Sequence, residues 1–144
     1  MSRQKVINDL LQLYSLDPKL SSFEIFDENG VFQDNITICT GIKAIRAGFF
    51  APSYVFSDCR IETPTLVYHQ PDRMQIHVYI DYTLRLFKVH LTTLSTITFE
   101  FKPSDVHDGT YTDKATYVEE RWWGTPLKFA KDGVIGWVCE VSAI

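Results

Sequence analysis

The first part of the chain has the hydrophobic spacing of α-helices. Residues 2–18 carry their leucines and a valine at helical intervals, and Asp17 followed by Pro18 ends that pattern. Residues 19–26 have the composition of a second, shorter helix that a serine can cap. Two consecutive helices are therefore predicted before the first strand.

A strand and a third helix are predicted next. Residues 28–30 favour a turn, and residues 31–36 can run extended. Residues 41–50 place their apolar side chains on one helical face, with Thr40 as a candidate N-cap and Pro52 as the stop. The chain thus begins with about three helices and one short strand.

Beyond about residue 55 the pattern changes to segments rich in β-branched and aromatic residues, which is typical of strands. These candidate strands are residues 59–69, 74–87, 90–101 and 114–123, followed by a hairpin in residues 129–144 that turns at Asp132-Gly133. Helices followed by a run of antiparallel strands predict an α+β fold, with the helices packed on one side of a curved sheet. With 144 residues and no repeat or linker, residues 1–144 are predicted to form one domain.

Two predicted strands carry acidic residues, and the face of the strand on which each acid lies decides whether it can reach a pocket. In residues 75–86 the alternation puts His77, Tyr79 and Asp81 on one face and apolar side chains on the other. The polar face can line a pocket, or it can be a solvated surface or dimer interface, and the pattern favours the outer face. In residues 117–123, Glu120 shares a face with Val118 and Trp122, so it is the likelier buried acid of the pair Glu119 and Glu120.

Composition narrows the function. The formal net charge is −4 and no basic block occurs, which argues against nucleic acid and anionic membranes as partners. No hydrophobic signal region occurs, and the three cysteines show no paired spacing, which predicts a cytoplasmic protein with reduced thiols. The four histidines lack metal-ligand spacing, and no phosphate loop, dinucleotide fingerprint or nucleophile elbow occurs, so neither a metal nor a cofactor is expected.

Three segments resemble the nuclear transport factor 2-like superfamily, in particular its SnoaL-like members: residues 13–36, residues 41–49 and "YVEERWWGTPL" at residues 117–127. This resemblance covers nearly the whole chain. It implies a cone-shaped barrel in which the sheet wraps around the helices and leaves an apolar pocket, and it implies a homodimer through the sheet face. Members of this family such as ketosteroid isomerase and scytalone dehydratase work in that pocket without a redox cofactor.

The resemblance assigns a role to Asp34, which stands where ketosteroid isomerase carries its general base. A base of this kind needs a poorly solvated carboxylate, and apolar Val31, Phe32 and Ile36 surround Asp34 in sequence. The competing interpretation is that Asp34 caps a turn. The tyrosine that donates to the oxyanion in ketosteroid isomerase corresponds to Leu10, which argues against steroid enolisation.

Two functions follow. In the first, the chain is a cofactor-independent isomerase, cyclase or lyase for a small hydrophobic, polyketide-, terpenoid- or steroid-like molecule. In the second, the same fold is a non-catalytic ligand-binding or dimerisation module. The expected catalytic residues are Asp34, Glu120 and His77, and the expected substrate-binding residues are Tyr14, Phe32, Phe49, Tyr79 and Trp122.

Overall fold

The computed structural model describes residues 3–105 and 109–123. Within them the helices are α1 (Arg3–Tyr14), a 3-10 helix at Leu20–Ile25, α2 (Ile42–Phe50) and a 3-10 helix at Ala51–Tyr54. The strands are β1 (Phe26–Gln33), β2 (Ile38–Thr40), β3 (Phe56–Ile61), β4 (Thr65–His69), β5 (Arg73–Leu84), β6 (His90–Pro103) and β7 (Tyr111–Trp123). The predicted order of two helices, a strand, a further helix and then a run of strands is confirmed, with a second short strand, β2, before α2. The predicted C-terminal hairpin lies outside the described residues.

The strands form one seven-stranded sheet in the order β2-β1-β7-β6-β5-β3, with β4 pairing the first half of β5. All pairs are antiparallel except β1 and β7, which are parallel. The fold is therefore α+β with a mixed, largely antiparallel sheet. The expected closed cone is not found, because within the described residues the edge strands β2 and β3 do not pair with each other.

The core lies between the helices and one face of the sheet. Alternate residues of β5 and β6 are buried, as the sequence alternation predicts, and they meet the apolar faces of α1 and α2. Fully buried members of this core include Leu10, Ile45, Ile80, Ile97 and Phe99. The face opposite the helices, which carries His77, Tyr79 and Thr96, is called here the outer face.

Three local predictions are corrected. Thr40 does not cap α2, because it ends β2 and Gly41 takes the position before the helix with a φ of 86°. The predicted turn at residues 28–30 lies inside β1, as an irregularity in its pairing with β7. The predicted strand 59–69 is two strands, because residues 62–64, which include Pro64, are not part of a strand. β3 and β4 pair with different halves of β5.

Among the described residues, no helix combines the length and the apolar character that crossing a bilayer requires.

Candidate functional site

A cavity of about 620 Å³ lies between the helices and the inner face of the sheet. Its wall is mostly apolar and aromatic. The rings of Tyr14 and Phe32 both contact Phe49, with centroid distances of 5.3 and 4.8 Å. Phe56 and Tyr82 stack at 4.6 Å on another side. This volume and this largely apolar, aromatic lining are typical of pockets that hold small organic molecules.

The carboxyl group at the buried end of the cavity belongs to Glu120, a residue that is 1% exposed. The Tyr14 hydroxyl donates to its Oε1 at 2.9 Å, and the Ser95 hydroxyl donates to its Oε2 at 2.5 Å. Within the described residues no cation forms an ion pair with it. Glu120 is therefore held by neutral donors.

Burial is the largest influence on this carboxyl group and raises the pKa of Glu120, because a charge is poorly solvated in the wall. The hydrogen bonds from Ser95 and Tyr14 oppose that shift without cancelling it. The Trp122 indole N–H also acts to lower this pKa, although its geometry falls short of a hydrogen bond to any described residue. Burial also raises the pKa of Tyr14 and of Tyr82 well above the usual value. Burial thus favours the protonated forms of these three groups.

Asp34 lines the same cavity from the turn between β1 and β2. Its Oδ1 accepts the backbone N–H groups of Ile36 and Thr37 at 3.0 and 2.9 Å, and its own N–H donates to the Thr37 carbonyl at 3.0 Å. Asp34 therefore fixes the turn and also lies on the cavity wall.

The next residue, Asn35, attaches this turn to the strand that carries Glu120. Its side chain accepts from the Trp122 backbone N–H at 3.1 Å and donates to the Trp122 carbonyl at 3.3 Å. Parallel pairing of β1 with β7 already sets Phe32 beside Val118. The two acids are thus brought to one cavity by adjacent strands.

The structure brings together six of the expected site residues on the cavity wall: Tyr14, Phe32, Asp34, Phe49, Glu120 and Trp122. It separates His77 and Tyr79 from them. Both are exposed on the outer face, and Tyr79 is 50% exposed. Their placement in the pocket is corrected here, because the two-residue period of β5 turns them away from Ile76, Val78 and Ile80.

Sequence reasoning missed Thr93 and Ser95, which support the buried end. Thr93 lines the cavity and Ser95 bonds to Glu120, and both are buried. The signal was available, because both share the face of β6 that carries Ile97 and Phe99. Small hydroxyl residues on an otherwise apolar strand face indicate a buried polar partner.

Cys59 is partly buried against the core, and burial raises its pKa to about 12. That thiol is a poor nucleophile. Among the described residues, no group of three or more His, Cys, Asp or Glu side chains is arranged to hold a metal ion.

No protein-family model and no curated protein matches the chain. Solved structures do. An NTF2-like protein from Anabaena variabilis aligns with a TM-score of 0.69 at 10% identity, over 85% of this chain and 87% of that one. A putative isomerase from Bacillus subtilis aligns with a TM-score of 0.68 at 16% identity, over 90% and 94% of the two chains. A hexachlorocyclohexane dehydrochlorinase aligns with a TM-score of 0.61 at 14% identity, over 86% and 85%.

These alignments cover most of each chain, and they show the fold. The chain has the nuclear transport factor 2-like fold that the sequence resemblance implied. The finer SnoaL-like assignment is not confirmed by a family model. At identities of 10 to 16%, these alignments show the fold alone.

Proposed function

We propose that this protein is a cofactor-independent isomerase, cyclase or lyase that moves a proton on a small hydrophobic molecule bound in the cavity. The observation that carries the proposal is the pairing of two unlike carboxyl groups on one apolar wall. The Asp34 carboxyl group accepts two backbone N–H groups, whereas the Glu120 carboxyl group is buried and its pKa is raised. Two carboxyl groups in unlike surroundings within one cavity are a usual arrangement of a base and an acid.

In this mechanism Asp34 removes a proton from an acidic C–H bond of the ligand. The electron pair of that bond moves toward a neighbouring oxygen or leaving group. When Glu120 holds its proton, it can donate to the Tyr14 oxygen, and the Tyr14 O–H is then available to the ligand oxygen that gains charge. An isomerisation ends when Asp34 returns the proton to another carbon, and an elimination ends when the leaving group departs.

The test uses nitrobenzisoxazole, a small neutral aromatic compound whose ring opens when a base removes its one acidic C–H proton. We expect saturable ring opening by the wild-type protein, followed as absorbance of the phenolate product. Asp34→Asn should lower the rate by about a hundredfold, the lower end of the range for general-base catalysis. Asp81→Asn removes a carboxylate on the outer face that bonds to Thr92, so its rate should stay within about twofold of wild type. Equal rates for wild type and Asp34→Asn would exclude Asp34 as the base.

The second candidate is a non-catalytic ligand-binding module of the same fold. One observation favours it: Asp34 has a complete structural role, because its Oδ1 closes the turn with two backbone N–H groups. In that case nitrobenzisoxazole would bind without base-dependent turnover. Competition between this compound and a fluorescent apolar probe, together with the absence of ring opening above that in buffer, would select this function.

We also propose that two copies of the chain associate through the outer face, as the family resemblance implies. The support is the composition of that face, which carries Tyr79, Thr96 and Tyr117 between charged groups. An aromatic and hydroxyl-rich surface with charges at its edges is typical of protein interfaces.

A further inference from the structure

Arg85 is the only cationic residue among the described residues that line the cavity. It follows the last residue of β5 and lies at the part of the wall that solvent reaches. We call this part the rim, and define it by the exposed lining residues Tyr54, Arg85, Leu86, Phe87 and Val89. Every other charged residue of the described wall is an acid, namely Asp34 or Glu120.

Arg85 is held in place at two points. Its backbone N–H donates to the Val55 carbonyl at 2.9 Å, and its side-chain Nε donates to the Ser53 carbonyl at 3.0 Å. Both acceptors belong to the segment that follows α2. An exposed arginine normally loses much conformational freedom when it binds a ligand, and anchoring Nε removes part of that cost beforehand.

The two terminal nitrogens of the Arg85 guanidinium are available to a ligand. Within the described residues, neither forms an ion pair or hydrogen bond. Their N–H groups form the fork that matches a carboxylate. A guanidinium that is anchored through Nε and has its terminal groups unused is arranged to receive an oxyanion.

We propose that the ligand of this cavity is a small apolar carboxylic acid, whose carboxylate binds the Arg85 guanidinium at the rim while its apolar body fills the ring-lined interior. This inference rests on the proposed function and adds the class of substrate to it. The two ends of the cavity then orient the ligand. Repulsion by Asp34 disfavours placing the carboxylate beside the two acids, so the reacting carbon of the ligand faces them.

A carboxylate fits this rim better than a phosphate does. A phosphate monoester carries up to two charges at neutral pH, and it is commonly met by more than one cation. Lys88, the next cation along the chain, does not line the cavity. One guanidinium matches one negative charge.

The experiment compares naphthylbutanoate with its primary amide, which has nearly the same shape and no charge. Each is titrated in competition with the fluorescence of N-phenylnaphthylamine bound to the protein. We expect wild type to prefer the acid by about tenfold, the effect of one well-placed charged hydrogen-bond pair. Arg85→Gln should weaken acid binding by about tenfold and change amide binding by less than about twofold. Arg85→Lys keeps the charge without the fork, so it should recover only part of the preference.

The matched control is Lys88→Gln, which removes a positive charge three positions along the same turn but off the cavity wall. Its preference for the acid should stay within about twofold of wild type. The proposal is overturned if Arg85→Gln weakens acid and amide equally, since that is a packing role. It is also overturned if Lys88→Gln has the same effect as Arg85→Gln, or if wild type does not prefer the acid.

These outcomes are separate from those of the ring-opening test, because nitrobenzisoxazole has no carboxylate for Arg85 to bind. A preserved acid preference with no Asp34-dependent ring opening would leave an acid-binding cavity without the proposed catalysis. Asp34-dependent ring opening without an acid preference would keep the proposed function and remove Arg85 from it.

Discussion

At the scale of single residues, Glu120 is an acidic side chain in surroundings that solvate a charge poorly. It is buried in an apolar wall, two hydroxyl groups donate to it, and within the described residues no cation compensates its charge. An ionised carboxylate at such a position lowers the stability of the fold unless hydrogen bonds make up the lost hydration. A conflict of this kind is often retained at functional sites.

Glu120→Gln should be more stable than wild type at pH 8, and the difference should shrink on acidification. The pKa of Glu120 is raised in the folded protein above its unfolded value of about 4.3, so the folded state holds a proton that the unfolded state has lost. Wild-type stability therefore falls as pH rises through the window from the unfolded to the folded pKa, by about 1.4 kcal/mol for each unit of pKa difference. Glutamine does not titrate. Urea unfolding of both proteins at several pH values measures the difference.

Glu119→Gln is the matched control because Glu119 lies next in sequence on the opposite strand face. Partial burial acts to raise the pKa of Glu119, but hydrogen bonds from Arg121 and Tyr117 outweigh it and lower this pKa. The stability difference between wild type and this variant therefore has the opposite sign. Wild type should be the more stable protein near neutral pH, and its advantage should disappear as pH falls through the folded pKa of Glu119. A pH-independent gap for Glu120→Gln, or the same sign for both variants, would contradict the buried-acid description.

At the scale of elements, strand alternation was the reliable sequence signal. It predicted which side chains of β5 face inward and that Glu120 rather than Glu119 is buried. Turn chemistry was less reliable. Residues 28–30 have the composition of a turn, and Asp27 accepts the Asn29 N–H in a local bend. They nevertheless remain in β1, with a register shift in its pairing with β7. Local composition indicates a bend without saying whether the strand continues beyond it.

Asp34→Ala and Asp34→Asn separate the two roles of the β1–β2 turn. Alanine removes the acceptor for the Ile36 and Thr37 N–H groups, so we expect a loss of about 1 kcal/mol of unfolding free energy, comparable to removing a helix cap. Asparagine keeps an oxygen at the same place and should stay within about 0.5 kcal/mol of wild type. Chemical denaturation measures both. An alanine variant as stable as wild type would show that the turn does not depend on this side chain.

At the scale of the whole molecule, the sequence predicted the class of fold better than the site. Asp34 was found through the family resemblance, and Glu120 was found because it shares the face of a periodic strand with apolar side chains. Their partners Tyr14 and Ser95 lie 106 and 25 residues from Glu120, and only the packing of α1 and β6 against β7 brings them to its carboxyl group. Pairing over such separations leaves no periodic trace in the sequence. Arg85 follows the last residue of β5, so the alternation that separates the two faces of that strand does not determine where its side chain lies.

The proposed homodimer also belongs to this scale, because its support is the size of a surface. A 12-residue strand such as β5 is about 40 Å long, and four neighbouring strands span about 20 Å, so the outer face offers about 800 Å². That is about the area each partner buries in an interface of standard size. The alternative is that solvent covers this face, which its polar side chains permit.

Sedimentation velocity at micromolar concentration distinguishes the two. We expect wild type to sediment as a dimer and Tyr79→Glu to sediment as a monomer, because a buried charge without a partner opposes association. The control is Tyr54→Glu, at a tyrosine that is 78% exposed at the rim, and it should remain a dimer. A wild-type monomer would remove the proposed interface. A dimer that persists in Tyr79→Glu would mean that the two copies meet elsewhere, and in that case the rim residues Leu86 and Phe87, 69% and 85% exposed, are the next surface to test.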